Sequence, residues 1–412
     1  MKSGAFAVIK RVAPLLALIA GLLFIALSSN SAIASKRRFL AALFFPESVS
    51  FLDLQAKHQH HALRILVVPG HDEESWGTEF RGVKEAELTL AASHYLVRLL
   101  SKDPAFQVFT ARTGGDYVPG LKDYFRTQEA EINAFKKEKQ QLMKTASQAG
   151  FEQQDKPVYH ATAKRSTVFK LYGINKWAND NAIDAVLHIH FNDYAGRRPD
   201  RVGEYAGMAI YVPDRQLPNA KASRQLAQAV FGQLGSILST SNLPQESGGI
   251  IEDQDLIAIG VNASLDAASM VIEYGYIYET PLREAAIRNA FLEELAYQTY
   301  IGIKKGLDPD FKAEGLGSAL LPHSWNRRMV SGLKADKDVL ALQMALAKEG
   351  VYPPAGSDCP VSGNFFECTE AALKRFQEKY ADEILKPFGL SKGTGIADRA
   401  TLKKLNQLYG VL

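Results

Sequence analysis

His71 stands directly after an apolar run and a Pro-Gly pair in "VVPGHDEESWGTEFRGVKEAEL", and Glu85 stands fourteen residues further on. After Glu85, apolar residues recur at helical spacing, so that Glu85, Leu88, Ala92, Tyr95 or Leu96, and Leu99 fall on one stripe. The carboxylate therefore heads the buried face of a helix, where an unpaired charge is costly. Complementing the helix dipole is the other role open to it. In "DAVLHIHFND", Leu187, Ile189 and Phe191 share one face of a strand, and Val186, His188 and His190 share the other. Two imidazoles with one carboxylate make three protein ligands and leave zinc's fourth position to water, the arrangement of a hydrolytic site. Glu273 interrupts the apolar run Met270-Val271-Ile272 in "ASMVIEYGYIYE". Beside a metal-bound water it could accept a proton as general base. On an edge strand it would simply face solvent.

These residues need a scaffold that brings strand ends together. Ile65 to Val68, Phe106 to Thr110, Ala185 to Phe191, Ala206 to Val212 and Ser269 to Tyr276 read as strands. Glu85 to Leu100, Phe169 to Asn179, Ser223 to Leu238 and Pro281 to Lys305 read as helices. The alternation predicts an α/β fold with a mainly parallel sheet and helices on both faces. Such sheets collect ligands at the carboxyl ends of their strands, where His71 lies. A charged, helix-forming block from Arg126 to Ser166 looks inserted. A Gly/Pro-rich linker is expected over residues 306–336. After it come three short helices, Val339 to Lys348, Thr369 to Tyr380 and Arg399 to Leu408, forming a small C-terminal three-helix domain.

Composition bounds the function. The 48 basic and 45 acidic residues leave a net charge of +3, too small to point to nucleic acid. Lys2, Lys10 and Arg11 precede an apolar stretch from Val12 to Leu27, followed by Ala32-Ile33-Ala34. That is the pattern of an export signal, cleaved at residue 34 or retained as a membrane anchor. Residues 35–62 follow as a linker, and an extracytoplasmic protein is expected. Cys359 and Cys368 are the two cysteines. In an oxidising compartment they can bridge a small loop.

The set "VVPGH…KEAELTL…VLHIHFND…MVIEYGYI" resembles the zinc-dependent N-acetylmuramoyl-L-alanine amidases of bacterial cell walls, over about Arg64 to Lys305. The resemblance implies that His71, Glu85 and His190 bind zinc and that Glu273 is the catalytic glutamate. It places Asn192 after the third ligand and His188 where the family has Ser, which implies substrate contacts or a supporting role for both. Arg112 and Asp116 resemble a family segment of structural role. The sequence departs from the family in Asp72 and Glu73, which replace glycines, in the long 126–166 insertion, which could be a lid, a partner-docking helix or surface decoration, and in Tyr276, which replaces Phe with little expected effect. "SGNFFECTEAALKRFQEKY" with "GTGIADRATLKKLN" resembles a small peptidoglycan-binding domain, expected over 337–412. Together these imply a catalytic domain over 63–305, zinc as cofactor, peptidoglycan as partner and a monomer. A wall-binding scaffold without catalysis and a zinc peptidase acting on the stem peptide are the alternatives.

Overall fold

A computed structural model of the chain describes residues 44–411, apart from 154–157, 159, 161 and 314. The export signal lies outside the described residues. Among those described, no helix is long and apolar enough to cross a membrane.

The chain enters through α1 (Phe51–His60), a helix within the stretch expected as linker. β1 (Leu63–Pro69) is apolar along nearly its whole length, as a strand covered on both faces must be. A two-residue-strand hairpin, β2 (Glu79–Phe80) and β3 (Val83–Lys84), leads into α2 (Glu85–Lys102). Then come β4 (Phe106–Thr110), α3 (Pro119–Thr127), α4 (Glu129–Ala149), α5 (Arg165–Asp180) and β5 (Ala185–Asn192). They are followed by β6 (Ala209–Pro213), α6 (Ala220–Leu234), β7 (Ile250–Asp253) and β8 (Ala268–Tyr276). The short α7 (Thr280–Arg283) and the long α8 (Ala285–Leu307) complete this part.

The sheet runs β4-β1-β5-β8-β6-β7. The first four strands are mutually parallel. β6 pairs antiparallel with β8, and β7 pairs parallel with β6. The sheet is thus mostly parallel, as expected, with two reversed strands at one edge. β7 escaped the sequence reading because "IIED" is short and half polar, and it becomes a strand only beside β6. Ile65, Val67, Leu187 and Ile189 face α2 and α8 in one apolar layer. Leu66, Val68 and Val186 face the α5 side in the other.

The insertion covers part of this second face. Ile132 and Ala146 are the buried residues of α4, and Val158 packs with Ala209, Tyr211, Ile251 and Val271. His160 Nε2 lies 2.8 Å from Asp253 Oδ2 at the end of β7.

The C-terminal part contains α9 (Lys337–Lys348), α10 (Glu367–Lys379), a short α11 (Ala381–Ile384) and α12 (Arg399–Tyr409). The three expected helices are present, with one brief extra turn. Asp336 and Asp398 cap α9 and α12 through their side chains. Cys359 and Cys368 are joined by a disulfide. The stretch before α9 packs down onto α8: Ser318 Oγ and the amides of Ala319 and Leu320 donate to Glu294 Oε2 at 2.8, 2.7 and 3.1 Å. Leu321, Trp325 and Met329 are buried in the main core.

Candidate active site

Four backbone features bring the polar residues together. β1 ends at Pro69, and Gly70 continues the ladder by donating to Ile189 O at 2.9 Å. A Cβ at Gly70 would sit 2.4 Å from the His190 ring, so only glycine lets the two strands carry these side chains side by side. His71 takes a left-handed backbone, φ 63°, which turns its ring back over the strand ends. The loop returns through Gly77, φ +76°, where a Cβ would lie 2.3 Å from Glu85 Oε2 and 2.7 Å from His71 Nε2. Finally, the β5–β8 register shifts between His190 and Asn192, and the Phe191 amide donates to Glu85 Oε1 at 3.2 Å.

Glu85 is the hinge of the cluster. Its Oε2 lies 3.0 Å from His71 Nε2 and its Oε1 lies 3.0 Å from His190 Nδ1. The His71 and His190 rings meet edge-on with centroids 5.0 Å apart. One ligand atom from each of the three residues lies within 4.8 Å of the others. Ligands held about 2.0–2.2 Å from a tetrahedral zinc are roughly 3.4 Å from one another, so this donor set fits that ion with small adjustments. Burial works against the charge on Glu85, but the imidazoles of His71 and His190 outweigh it and hold the carboxyl well below the usual range. Burial also opposes a charged His71, where the Glu85 carboxylate prevails and raises the pKa. For His190 burial prevails and lowers it. An ionised carboxylate beside imidazoles that can shed a proton is the state a cation requires.

Glu273 is the cross-strand neighbour of His190 on β8. Its Oε2 is buried and has no hydrogen-bond partner among the described residues. Burial, with the nearby charges of Glu85 and Glu246, pushes its carboxyl well above the ordinary value. A buried carboxyl oxygen without a partner is a candidate functional group.

The remaining candidates separate. His188 is 1% exposed, and burial pushes its pKa down to about 3, so it is a neutral ring sealed beneath the site. Asn192 is half-buried, and its Nδ2 donates to Glu246 Oε1 and Oε2 at 2.8 and 3.0 Å. Arg112 is buried and donates to the carbonyls of Gly70, Ala86, Gly114 and Gly115, bracing the loop under His71. Asp116 pairs with Lys122 at the surface, 2.8 Å apart. Asp72, one of the residues standing for a glycine, is buried; it caps its own turn at Glu74 and Ser75 and pairs with Lys170 at 2.8 Å. Lys170 thus pairs its charge, which also contributes to raising the pKa of the adjoining His71.

Glu246 was not foreseen. It is 1% exposed and accepts hydrogen bonds from Asn192, Tyr211, Ser241 and Tyr276. Tyr276 thus does more than replace a phenylalanine, because its hydroxyl donates to Glu246 Oε2 at 3.1 Å. In "SNLPQESGG" Glu246 has no periodic neighbours to suggest burial. Only the tyrosines at alternating strand positions hint that a polar group lies behind the sheet.

Residues 65–305 match the family model described as N-acetylmuramoyl-L-alanine amidase, and residues 335–405 match that of a peptidoglycan binding domain. Three solved structures illustrate the likeness. An N-acetylmuramoyl-L-alanine amidase from Clostridium difficile 630 is 20% identical, with 62% of this chain and 99% of that chain covered and a TM-score of 0.37. The CwlD amidase from Clostridioides difficile, in complex with the GerS lipoprotein, is 15% identical over 60% and 100% of the two chains, TM-score 0.40. Ami1 from Mycobacterium smegmatis is 15% identical over 60% and 98%, TM-score 0.40. No curated protein matches the chain.

Proposed function

The chain belongs to the N-acetylmuramoyl-L-alanine amidase family, and on that premise we propose that His71, Glu85 and His190 hold a zinc ion while Glu273 moves the proton of the reaction. Its activity is that of a peptidoglycan amidase, cleaving the amide between N-acetylmuramic acid and L-alanine. Zinc, when bound, polarises the scissile carbonyl and lowers the pKa of water. Glu273 takes the proton that water loses and delivers it to the leaving amine of L-alanine. The free Oε2 and the apolar strand around it keep that carboxyl ready to hold a proton. Asn192, locked by Glu246, shapes the wall beside the ligand strand and is the nearer of the two expected substrate contacts. His188 supports His190 from beneath.

The observation that carries this reading is the convergence of three ligand atoms within 4.8 Å, beside a carboxyl oxygen with no partner of its own among the described residues. It divides the chain into a catalytic part over 63–305 and a peptidoglycan-binding part over 337–412. The enzyme acts on peptidoglycan and so outside the cytoplasm. Residues 1–34 serve in this reading as its export signal or membrane anchor. Purified enzyme should hold about one zinc per chain and release new L-alanine amino termini from peptidoglycan. Termini other than L-alanine would identify a stem-peptide peptidase. No new termini, with zinc supplied, would leave only a binding scaffold.

A further inference from the structure

We propose that the peptidoglycan-binding part is fixed against the catalytic part, so that one glycan strand with its stem peptides lies in a single trough across the joint between them. This rests on the amidase reading and adds the surface on which the polymer is held. Two depressions carry it. One, of about 240 Å³, lies between the loop at Glu204 and Tyr205 and the segment Pro360 to Ser362. The other, of about 560 Å³, lies beside Tyr352, Asn364, Phe366 and the disulfide. Pro360 and Ser362 line both, so the two meet at that segment.

The joint is held from both sides. Val361 donates to Ile237 O in the catalytic part at 2.8 Å. The Tyr352 hydroxyl donates to Pro360 O at 2.9 Å, and the amides of Ser362 and Gly363 donate to Gln343 Oε1, each at 2.9 Å. The stretch that could have been a loose tether is bonded to Glu294 and to Gln298, whose Nε2 donates to Gly317 O at 3.1 Å. At its other end the lining of the first depression is tied to the loop that follows β5. The Glu204 amide donates to the Tyr194 hydroxyl at 3.2 Å, the Tyr194 and Tyr205 rings are 4.8 Å apart, and Tyr194 follows Asn192 by two residues.

A long polymer is the occupant this shape suits. Each depression falls within one of the two matched regions, which have peptidoglycan in common, or on the joint between them. Their linings combine aromatic faces with polar edges: Tyr205 with Glu204 in one, and Phe366, 42% exposed, with Asn364 in the other. Rings stack on the apolar faces of sugars while the polar edges bond hydroxyl and amide groups. A soluble disaccharide-peptide would occupy one depression and gain nothing from the other.

The test compares intact sacculi with a soluble disaccharide-peptide. Ser362→Trp fills the joint, and Phe366→Ala and Glu204→Lys alter the exposed lining on either side. Phe388→Ser, 67% exposed and lining neither depression, is the control. The three trough variants should raise KM for sacculi roughly five- to tenfold, with the control like wild type. An unchanged sacculus KM in Phe366→Ala and Glu204→Lys overturns the trough even if Ser362→Trp does not fold. A rise in Phe366→Ala alone also overturns it, because a binding module acting by itself predicts that pattern. Should wild type release no L-alanine termini, the amidase reading fails. The trough is then decided by sedimenting the Glu273→Gln protein with sacculi, alone and combined with Phe366→Ala or Glu204→Lys. Weaker sedimentation of both double variants upholds it, and equal sedimentation rejects it.

Discussion

Glu85 serves two imidazoles and two backbone amides with one carboxylate, and that economy sets what single substitutions should do. The amides of Thr78 and Phe191 donate to its two oxygens at 3.1 and 3.2 Å, so the side chain is aimed before any ion arrives. Glu273, by contrast, touches none of the three proposed ligands through a hydrogen bond. Replacing it with Gln should leave the zinc content near one per chain while turnover falls by about 10²–10⁴; loss of zinc in Glu273→Gln would make it a ligand instead. Gly77 offers a second test. An alanine there has to place its Cβ against Glu85 Oε2 and His71 Nε2 in an unfavourable φ of +76°. Gly77→Ala should weaken zinc binding by roughly 10–100-fold, read by competition with a chelator. Unaltered affinity would mean that the loop does not hold the ligands in place. Types and order of these residues were legible in the chain, because His, Glu and His at strand and helix ends stand out against apolar runs. Glu246 was not legible, because its four partners come from four separate segments.

Helices and strands were readable where their apolar period was long. α2 and α8 were found within a few residues, whereas the β2–β3 hairpin and β7 were too short to carry a period. α9, α10 and α12 were readable for the same reason as α2. What holds them together is less visible in sequence, and Glu349 at the end of α9 is an example. Burial opposes its charge, but Lys379, 2.6 Å away, and the hydroxyls of Tyr409 and Tyr380 outweigh burial and keep its carboxyl below the ordinary value of 4.5. A carboxyl lowered in the folded state adds stability above its unfolded value, and that share is lost as pH falls through the folded value. Glu349→Gln should therefore cost about 1–2 kcal/mol at neutral pH, with the gap to wild type closing as the pH is lowered from about 5 through the acid range. Denaturant titrations across that range check it; a gap independent of pH would remove Glu349 from the account.

At the scale of the whole molecule, one apolar core runs from Leu54 in α1 through Trp325 and Met329 to Tyr409 in α12. Two parts sharing a core and bonded through Glu294 and Val361 should unfold together. Scanning calorimetry should then show a single transition, coincident with loss of amidase activity, and two well-separated transitions would contradict the shared core. The insertion also finds its explanation here, since Val158 seals the face of β6 and β8 with Tyr211 and Val271. The sequence by itself determined the fold class and the helices and strands with clear periods, and it singled out His71, Glu85, His190 and Glu273 as candidates, because local spacing and residue chemistry need no partner to be read. Tertiary structure alone decided that Glu246 lies behind Asn192, that His188 is sealed from the surface, and that residues 315–336 pack instead of swinging free. Each of those depends on contacts between segments far apart in the chain, and burial is a property of both surfaces that meet.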